Sequence, residues 1–546
     1  MEKRLLLAIV LSFLVLFLYQ ALFVKKEPPQ EPISLTAVEM EKKPEQEVIQ
    51  KDTLTPSELP EEKDFQPISD QAEEQIIIDT SLFQAVWSNK GAILKSWKLK
   101  KHKDENKEDL ELISIHSAEM NKYPFLLSTE DPSFDNIINN SLYKSSKYKL
   151  ELKEGQRGEI RFDYADEKGT RVEKIFTFEG GKYEFDIQIN VWKNGQRVEP
   201  RLAWGPGFGN PSPEAQKQRF GSGSGIAVYS AGKVFRHQER KYNPEKNFYN
   251  FVNWVAYEDN YFTALFLTSP QKTSAAFFKE EKDQASFYFL SLNYPQKALI
   301  GPKDIDILSE FGYDTKKLIK FGLFGFIAEI LLRAIKSIHN VIPNWGLCII
   351  ILTFITKILF FPLTYSSTKS MSKMQDLQPK IKALKAKYKK AKKDISQRRK
   401  MNEEVMKLYK EHGVNPAGGC LPMLIQLPIF WGFFRLLMIS IEFRHSPFML
   451  WITDLSVKDP YYVTPILMGI TQFINQKMTP TSADPTQQRM MLIMPVVMTI
   501  FFMNFQSGLV LYWLTSNILQ IGQQYIFNRI KHKKKREAHG KKRRKQ

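Results

Sequence analysis

A single lysine stands inside a long apolar stretch of the sequence. Lys357 lies in GLCIIILTFITKILFFPLTY, residues 346–365, which is about long enough to cross a bilayer as a helix. An ionisable residue in such a span is a functional hypothesis by default, because its charge is costly in hydrocarbon. The interface at Tyr365 lies roughly 12 Å along the helix, and a lysine stem covers only part of that. We therefore favour a polar cavity inside a helical bundle over a lysine that snorkels to the interface.

Further polar residues occur in the apolar stretches of the C-terminal half. They are Thr353, Thr356, Gln426, Gln472, Asn475, Ser516, Asn517 and Gln520. Taken singly, such side chains often hydrogen-bond neighbouring helices. Together with one cation they predict a hydrophilic recess, so both interpretations stay open for each residue. Proline is also frequent in these stretches, which predicts kinked helices with an open side.

The residue types that carry catalysis or bind metals are scattered. The two cysteines, Cys348 and Cys420, form no ligand cluster, and the chain has no HExxH, Walker or GxSxG motif. The sequence therefore predicts that the protein is not an enzyme and has neither a metal site nor a cofactor.

The formal charge of +19 suggests nucleic acid at first sight, but its location argues against DNA. Residues 366–418 hold 15 Lys/Arg and 5 Asp/Glu, and residues 529–546 hold 11 Lys/Arg and one Glu. Together these blocks account for the whole positive excess, and each follows an apolar stretch. This distribution is typical of a membrane protein with its basic loops in the cytoplasm. We predict that the two blocks contact the ribosome or anionic lipids. A solvated basic face for residues 366–418 and a simple topological signal for residues 529–546 are the alternatives.

The N-terminal region predicts an anchor and a linker. Residues 1–4 are basic and residues 5–24 are apolar, with no small-residue cleavage site, so an uncleaved anchor (residues 1–24) is favoured over a signal peptide. Residues 25–75 are rich in Pro, Glu, Lys and Gln, which predicts a disordered linker.

Residues 76–315 predict a large all-β sandwich domain. Runs such as GEIRFDY (158–164) and NYFTALFLT (260–268) are rich in β-branched and aromatic residues, and NKG and EGGK are typical of hairpin turns. Two segments, 123–148 and 205–225, are predicted to be irregular. With the N-terminus inside, this domain lies on the far side of the membrane.

Two helical units are predicted next. Residues 316–340 are apolar but contain Glu329 and Arg333, which predicts an amphipathic helix in the outer interface. A core helix of the β domain is the alternative. Residues 366–418 carry two helical apolar stripes around the basic tip KKAKKD, which predicts an antiparallel cytoplasmic hairpin.

Four further apolar stretches complete the predicted topology. They cover residues 420–441, 462–478, 490–505 and 509–527. With the anchor and the Lys357 span they make six spans, with both termini in the cytoplasm and a basic tail at 529–546. The predicted fold is thus a polytopic α-helical membrane protein with a large all-β sandwich domain on the far side of the membrane.

Several long segments resemble the YidC/Oxa/Alb family of membrane protein insertases. They are FPLTYSSTKSMSKMQDLQPKI (361–381), VNPAGGCLPMLIQLPIF (414–430), PFMLWITDLSVKDPYYVTPILMG (447–469) and SGLVLYWLTSNILQIGQQ (507–524). The resemblance covers the whole chain in the Gram-negative layout, with a five-span insertase core at 341–528. It implies a β-supersandwich similar to galactose mutarotase for the periplasmic domain.

The resemblance also implies a function and a site. It implies an insertase and chaperone of the bacterial inner membrane, which acts on nascent membrane proteins alone or with the Sec translocon. Substrates would enter a groove open to cytoplasm and lipid, where most relatives carry Arg at the position of Lys357. Thr353, Gln426 and Trp513 fall at positions similar to those that line this groove, and Ser516 and Gln520 complete the predicted set.

Two other functions stay open at the level of sequence. A small-solute transporter would use Lys357 as its intramembrane site, although such proteins usually show internal repeats and none is visible here. A membrane-anchored sugar enzyme would need an acid/base pair in the β domain, and nothing marks one.

Overall fold

The computed structural model describes residues 66–209, 223–322, 324–388, 394–413, 421–478 and 485–543. The predicted anchor and most of the predicted linker lie outside these residues. The linker boundary at residue 75 is wrong, because Ile68 already exchanges two backbone hydrogen bonds of 2.9 Å with Ala165.

The described part of the β domain contains twenty strands. They are β1 Gln75–Thr80, β2 Phe83–Ser88, β3 Ile93–Lys103, β4 Asp109–Glu111, β5 Leu127–Ser128, β6 Lys144–Ser145, β7 Lys149–Leu152, β8 Arg157–Ala165, β9 Arg171–Glu179, β10 Glu184–Lys193, β11 Gln196–Val198, β12 Arg201–Trp204, β13 Gly225–Ser230, β14 Lys233–Gln238, β15 Phe248–Asn250, β16 Val252–Glu258, β17 Phe262–Thr268, β18 Ser274–Lys282, β19 Ala285–Asn293 and β20 Pro295–Pro302.

The same residues contain twelve helices. They are α1 His116–Met120, α2 Pro132–Asn140, α3 Ile305–Phe311, α4 Gly325–His339, α5 Trp345–Leu359, α6 Phe361–Asp376, α7 Gln378–Lys387, α8 Ile395–Glu411, α9 Leu421–Ile439, α10 Val463–Met478, α11 Pro485–Phe502 and α12 Ser507–Arg543.

The strands form a sandwich, as predicted. A ten-stranded sheet runs β14-β13-β16-β17-β20-β10-β9-β8-β6, with β11 beside β10. Two five-stranded sheets, β4-β3-β2-β1-β7 and β15-β18-β19-β12-β5, pack against it. The predicted hairpins are confirmed, since β2 pairs antiparallel with β3 and β9 with β10.

One aromatic core joins the three sheets. The ring of Phe125 lies 4.8 Å from Trp87 in one five-stranded sheet and 6.4 Å from Trp204 in the other. It also lies 5.4 Å from Phe176 and 6.2 Å from Phe266, both in the ten-stranded sheet. Large apolar rings that are removed from water in this way supply most of the stabilisation of such a domain.

The predicted irregularity of residues 123–148 is wrong. This segment contains α2, whose first turn is capped by Asp131 through the backbone N–H groups of Ser133 and Phe134. Pro132 favours the start of the helix, because its fixed φ suits the first position and its missing N–H would be unpaired there. Of the second segment, residues 205–209 form a loop and 225 begins β13, while 210–222 lie outside the described residues.

Helix α4 packs against the other helices and not inside the β sandwich. Its buried face, with Ala328, Leu331, Leu332 and Ile335, contacts α5 and α9. The alternative of a β-domain core helix is therefore wrong. The predicted helix 316–340 is also too long at its start, since residues 315–318 form a single 3-10 turn.

The helical hairpin is confirmed. Ile381 of α7 and Leu377, which directly precedes α7, pack on Val405 and Leu408 of α8. The hydroxyl of Tyr388 donates a 2.7 Å hydrogen bond to Glu404 across the hairpin. The basic tip at 389–393 lies outside the described residues.

The predicted single span 346–365 is divided into two helices. Helix α5 ends at Leu359, and α6 begins at Phe361 after a bend of 60°. Pro362 explains the break, because it has no N–H to donate to the carbonyl of Ile358. Among the described residues, no helix alone has the length and apolarity needed to cross a membrane, whereas α5 and α6 have them together.

The remaining helices follow the predicted stretches with two shifts. Helix α11 begins at Pro485, five residues before the predicted stretch 490–505, because proline suits the first helical turn. Helix α12 continues from the predicted last span into the basic tail without a break. The number of spans stays a prediction.

Candidate functional site

Lys357 lies near the C-terminal end of α5 and faces α12. Its ammonium donates a hydrogen bond of 3.2 Å to Oε1 of Gln520. In the described part of the chain no carboxylate forms an ion pair with it. The charge of Lys357 therefore has one neutral amide partner, which leaves it available to an incoming anionic or polar group.

A groove surrounds this ammonium. It encloses about 450 Å³, including space open to solvent. We call it the Lys357 groove, and its lining residues come from α5, α6, α9 and α12: Thr353, Thr356, Lys357, Phe360, Leu363, Thr364, Gln426, Ile429, Tyr512 and Ser516. Four of the six predicted site residues thus line one space, and a fifth, Gln520, is bonded to its lysine.

The threonine hydroxyls of the groove are directed to their own helices. Thr353 and Thr356 donate to the carbonyl oxygens of Ile349 and Thr353 at 2.6 and 2.8 Å. Thr364 donates to the carbonyl of Phe360, at the bend between α5 and α6, at 3.0 Å. Each hydroxyl donor is therefore used while its oxygen remains an acceptor, and back-bonding of this kind favours helix bending.

A second cavity adjoins the groove. It encloses about 400 Å³ between α6 and α12 and shares Thr364 with the first. Its polar lining residues are Thr364, Thr368, Gln520, Gln523 and Gln524. Apolar atoms nevertheless form most of the lining surface, so this cavity is largely apolar.

Apolar side chains surround the polar groove on the outside. Ile358 and Leu359 are 57% and 69% exposed, and Leu427 on α9 is 45% exposed. Exposed side chains of this size are expected where lipid, and not water, covers the surface. The groove therefore brings a cation and hydrogen-bonding groups next to a lipid-compatible surface.

Trp513 does not line the groove. Its ring packs between Phe430 and Phe502, at 4.8 and 5.0 Å, and its indole N–H donates to Gln472 at 3.4 Å. The aromatic residue that lines the groove is its neighbour Tyr512, which stacks on Phe433 at 4.2 Å. The sequence offered one signal for Tyr512, its spacing of four residues from Ser516 and eight from Gln520.

The other polar residues of the spans connect helices. The amide of Asn517 donates to the carbonyl of Met468 at 3.3 Å and to Thr471 at 3.4 Å, and Gln472 is bonded to Trp513. Some polar residues of the apolar stretches therefore line the Lys357 groove, whereas others hydrogen-bond neighbouring helices. Among the described residues, no cluster of three His, Cys, Asp or Glu could hold a metal ion.

Two family models match the chain. Residues 75–334 match a model described as YidC periplasmic domain, and residues 337–535 match one described as 60Kd inner membrane protein. Together they cover both the β domain and the helical region that carries Lys357.

Relatives match the chain over nearly its full length. The membrane protein insertase YidC of Syntrophus aciditrophicus is 39% identical, over 97% of this chain and 100% of the relative. The proteins of the same name from Geotalea daltonii and Geobacter sulfurreducens are 38% and 37% identical, over 97% of this chain and 99% and 98% of theirs.

Proposed function

The chain belongs to the YidC family of membrane protein insertases, and we propose that it inserts segments of nascent membrane proteins into the bacterial inner membrane through the Lys357 groove. The main support for placing insertion at this groove is the Lys357 ammonium. It has a single amide partner and lies in a polar space beside lipid-compatible side chains. Such a site attracts the polar or acidic end of a substrate.

Transfer needs no bond cleavage, and the substrate supplies the driving force. The groove replaces part of the water around a substrate's polar end with the amide, hydroxyl and ammonium groups of the protein. The apolar segment that follows then leaves water for lipid, which releases roughly 25 cal/mol per Å² of apolar surface. The bend at Phe360 turns α6 away from the axis of α5 on one side of the groove. This geometry supports a lateral path for the substrate out of the groove.

The topology that we propose has six spans, with both termini in the cytoplasm. Charge supports it, since the hairpin and the tail carry the two basic blocks. An ion pair of 3.5 Å between Lys531 of α12 and Asp376 of α6 also supports it, because the two basic units then lie on one side. Ribosomes and anionic lipids are the partners that this basic side suits, and the Sec translocon is a further proposed partner.

Site-specific photocrosslinking tests the groove. A photoreactive amino acid at Gln426 or Ser516 should capture a stalled nascent membrane protein, because both residues line the groove. The same amino acid at Trp513 is the matched control, since that ring packs between Phe430 and Phe502. Crosslinks from position 513 but not from 426 or 516 would show that the substrate does not pass through the Lys357 groove.

Insertion is favoured over the small-solute transport that the sequence left open. The relatives reported above are all named insertases. Reconstituted vesicles separate the two functions, because an insertase should protect a substrate's translocated end from protease without accumulating solutes.

A further inference from the structure

A third cavity lies where the β domain meets α4. It encloses about 930 Å³, including space open to solvent. Its charged lining is Arg236 from β14, Lys316, Lys317 and Lys320 from the segment before α4, and Glu329 from α4. We call it the basic pocket.

Two arginines hold the lysine-bearing segment in place. Arg236 donates to the carbonyl oxygens of Lys317 and Leu318, both at 2.8 Å. From the helical region, Arg435 of α9 donates to the carbonyl oxygens of Lys320 and Phe321. The segment is therefore fixed between the two halves of the protein, and the pocket is a built feature of their junction.

The carboxylates around the pocket already have partners. Glu329 binds Arg333 at 2.6 Å, and Asp314 binds Lys317 at 2.8 Å. Glu258 is shared between Lys303 at 3.0 Å and Arg236 at 3.3 Å. Within the part of the chain that the structure describes, this leaves Lys316 and Lys320 without a carboxylate partner.

The positive charges around the pocket repel one another. The pKa of Lys320 lies below its ordinary value, because partial burial of its ammonium and the nearby Arg236 and Arg435 oppose its charge. An anion bound between these groups would remove the repulsion and form charge-assisted hydrogen bonds.

The surroundings of the pocket indicate which anion it suits. Phe326 and Ile330 stand on α4 close to the pocket and are 68% and 60% exposed, on the face opposite the one that packs on α5 and α9. An exposed apolar face next to a basic pocket matches an anionic headgroup with attached acyl chains. Because the β domain is periplasmic, the pocket lies on the outer side of the membrane.

We propose that the basic pocket binds the phosphate of an anionic phospholipid in the outer leaflet, with the acyl chains against Phe326 and Ile330. The ligand links the β domain to the membrane at the start of α4. This site is separate from the Lys357 groove, and its presence does not depend on the insertion mechanism.

Photolabelling of the full-length protein tests this site. The protein is placed in phosphatidylcholine nanodiscs with a trace of phosphatidylglycerol that carries a diazirine in its headgroup, and labelled peptides are mapped by mass spectrometry. We expect labels within residues 316–330. The double variant Lys316→Gln/Lys320→Gln should lower this labelling roughly tenfold, which corresponds to 1.4 kcal/mol. The control Lys153→Gln/Lys168→Gln removes two exposed lysines elsewhere on the β domain and should leave it unchanged.

Competition distinguishes the possible sources of the anion. Unlabelled phosphatidylglycerol should displace the label, whereas phosphatidylcholine and inorganic phosphate should not. Equal displacement by inorganic phosphate would assign the pocket to a soluble phosphate and overturn the lipid proposal. Displacement by an acidic peptide but not by phosphatidylglycerol would assign it to a protein segment. Equal labelling of the Lys316/Lys320 variant and the control would exclude the pocket as the site.

Discussion

At the scale of single residues, the proposed insertion site depends on a charge without a counter-charge. Lys357 is bonded to the amide of Gln520 and, among the described residues, to no carboxylate. A permanent ion pair would occupy the ammonium and leave little attraction for a substrate. The amide holds the side chain in position but can be exchanged for a substrate's polar group at small cost.

We expect substitutions at Lys357 to follow charge. Lys357→Arg should keep insertion, because the positive charge and the approximate length remain. Lys357→Leu should lower insertion of substrates with acidic translocated ends roughly tenfold, equivalent to 1.4 kcal/mol, and affect apolar ends less. Lys357→Glu should be worst for acidic ends, since like charges repel in a partly desolvated site.

Protease protection of inserted substrates measures these effects, with expression of each variant checked. Lys373→Glu, on the exposed side of α6, is the control with the same change of charge. Equal insertion of acidic substrates by the Arg, Leu and Glu variants of Lys357 would contradict the electrostatic role.

His102 is expected to make the junction of the two halves sensitive to acid. Burial and the nearby Arg444 lower the pKa of His102 to about 4 from its ordinary value of 6.5. Between these pH values the unfolded chain binds the proton and the folded chain does not, so stability should fall as pH drops from 6.5 towards 4. The loss for this histidine is at most about 3 kcal/mol.

Thermal unfolding of the full chain in detergent at pH 7.5 and 5 tests this expectation. His102→Gln should reduce the difference between the two melting temperatures. The exposed His116→Gln serves as the control, since His116 lies on the surface beside Glu119. If both variants keep the wild-type pH dependence, other groups cause the acid sensitivity.

At the scale of elements, α12 connects the groove to the basic tail. One continuous helix carries Ser516 and Gln520 at its groove end and Lys531 near α6 at the other. A ribosome or membrane bound to the tail would therefore lie on a rigid extension of the groove wall.

Truncation after Asn528 tests the tail. We expect weaker ribosome co-sedimentation at low salt, because the chain loses 11 Lys/Arg. Wild-type binding should fall steeply as salt rises, since phosphate contacts release counterions. A tail that only sets topology would leave binding unchanged after truncation, provided that the truncated protein still inserts correctly.

At the scale of the whole molecule, the β domain and the helices share a charged junction. Lys336 of α4 forms ion pairs with Asp304 at 3.0 Å, Asp306 at 2.7 Å and Glu442 at 2.9 Å. Arg444 donates to the carbonyl of Lys103 at 2.8 Å and lies over the ring of Phe262. Most of these charges are partly buried, so losing one partner costs more than at an open surface.

Deleting about residues 80–300 should leave insertion working. The Lys357 groove is built from α5, α6, α9 and α12, and Asp304 and Asp306 remain to pair with Lys336. The deletion should still lower thermal stability, because Arg444 loses its contacts with β3 and β17. Complementation of cells depleted of the protein measures function. A variant that folds in the membrane yet fails to complement would show that the β domain takes part in insertion.

Local patterns in the chain were enough to predict the β hairpins, the helical hairpin and most of the residues at the proposed site. Alternating apolar residues and turn motifs predicted β2–β3 and β9–β10, and helical stripes predicted the α7–α8 hairpin. Both patterns depend on neighbours a few residues away. Lys357 was conspicuous for the same reason, since a charge in an apolar run is visible without knowledge of the fold.

Packing between segments that are distant in the sequence determines which side chains face the groove and which contacts form between elements. Periodicity places a side chain on a helix face, but adjacent residues differ by about 100° and only the neighbouring helices select Tyr512 over Trp513 for the groove. Packing likewise brings Gln520 to Lys357, 163 positions away, and places Asn517 of α12 against Met468 of α10. The basic pocket joins Arg236 to a segment 81 positions further on. Such long-range contacts leave no local periodicity in the sequence, because they arise from the docking of whole elements.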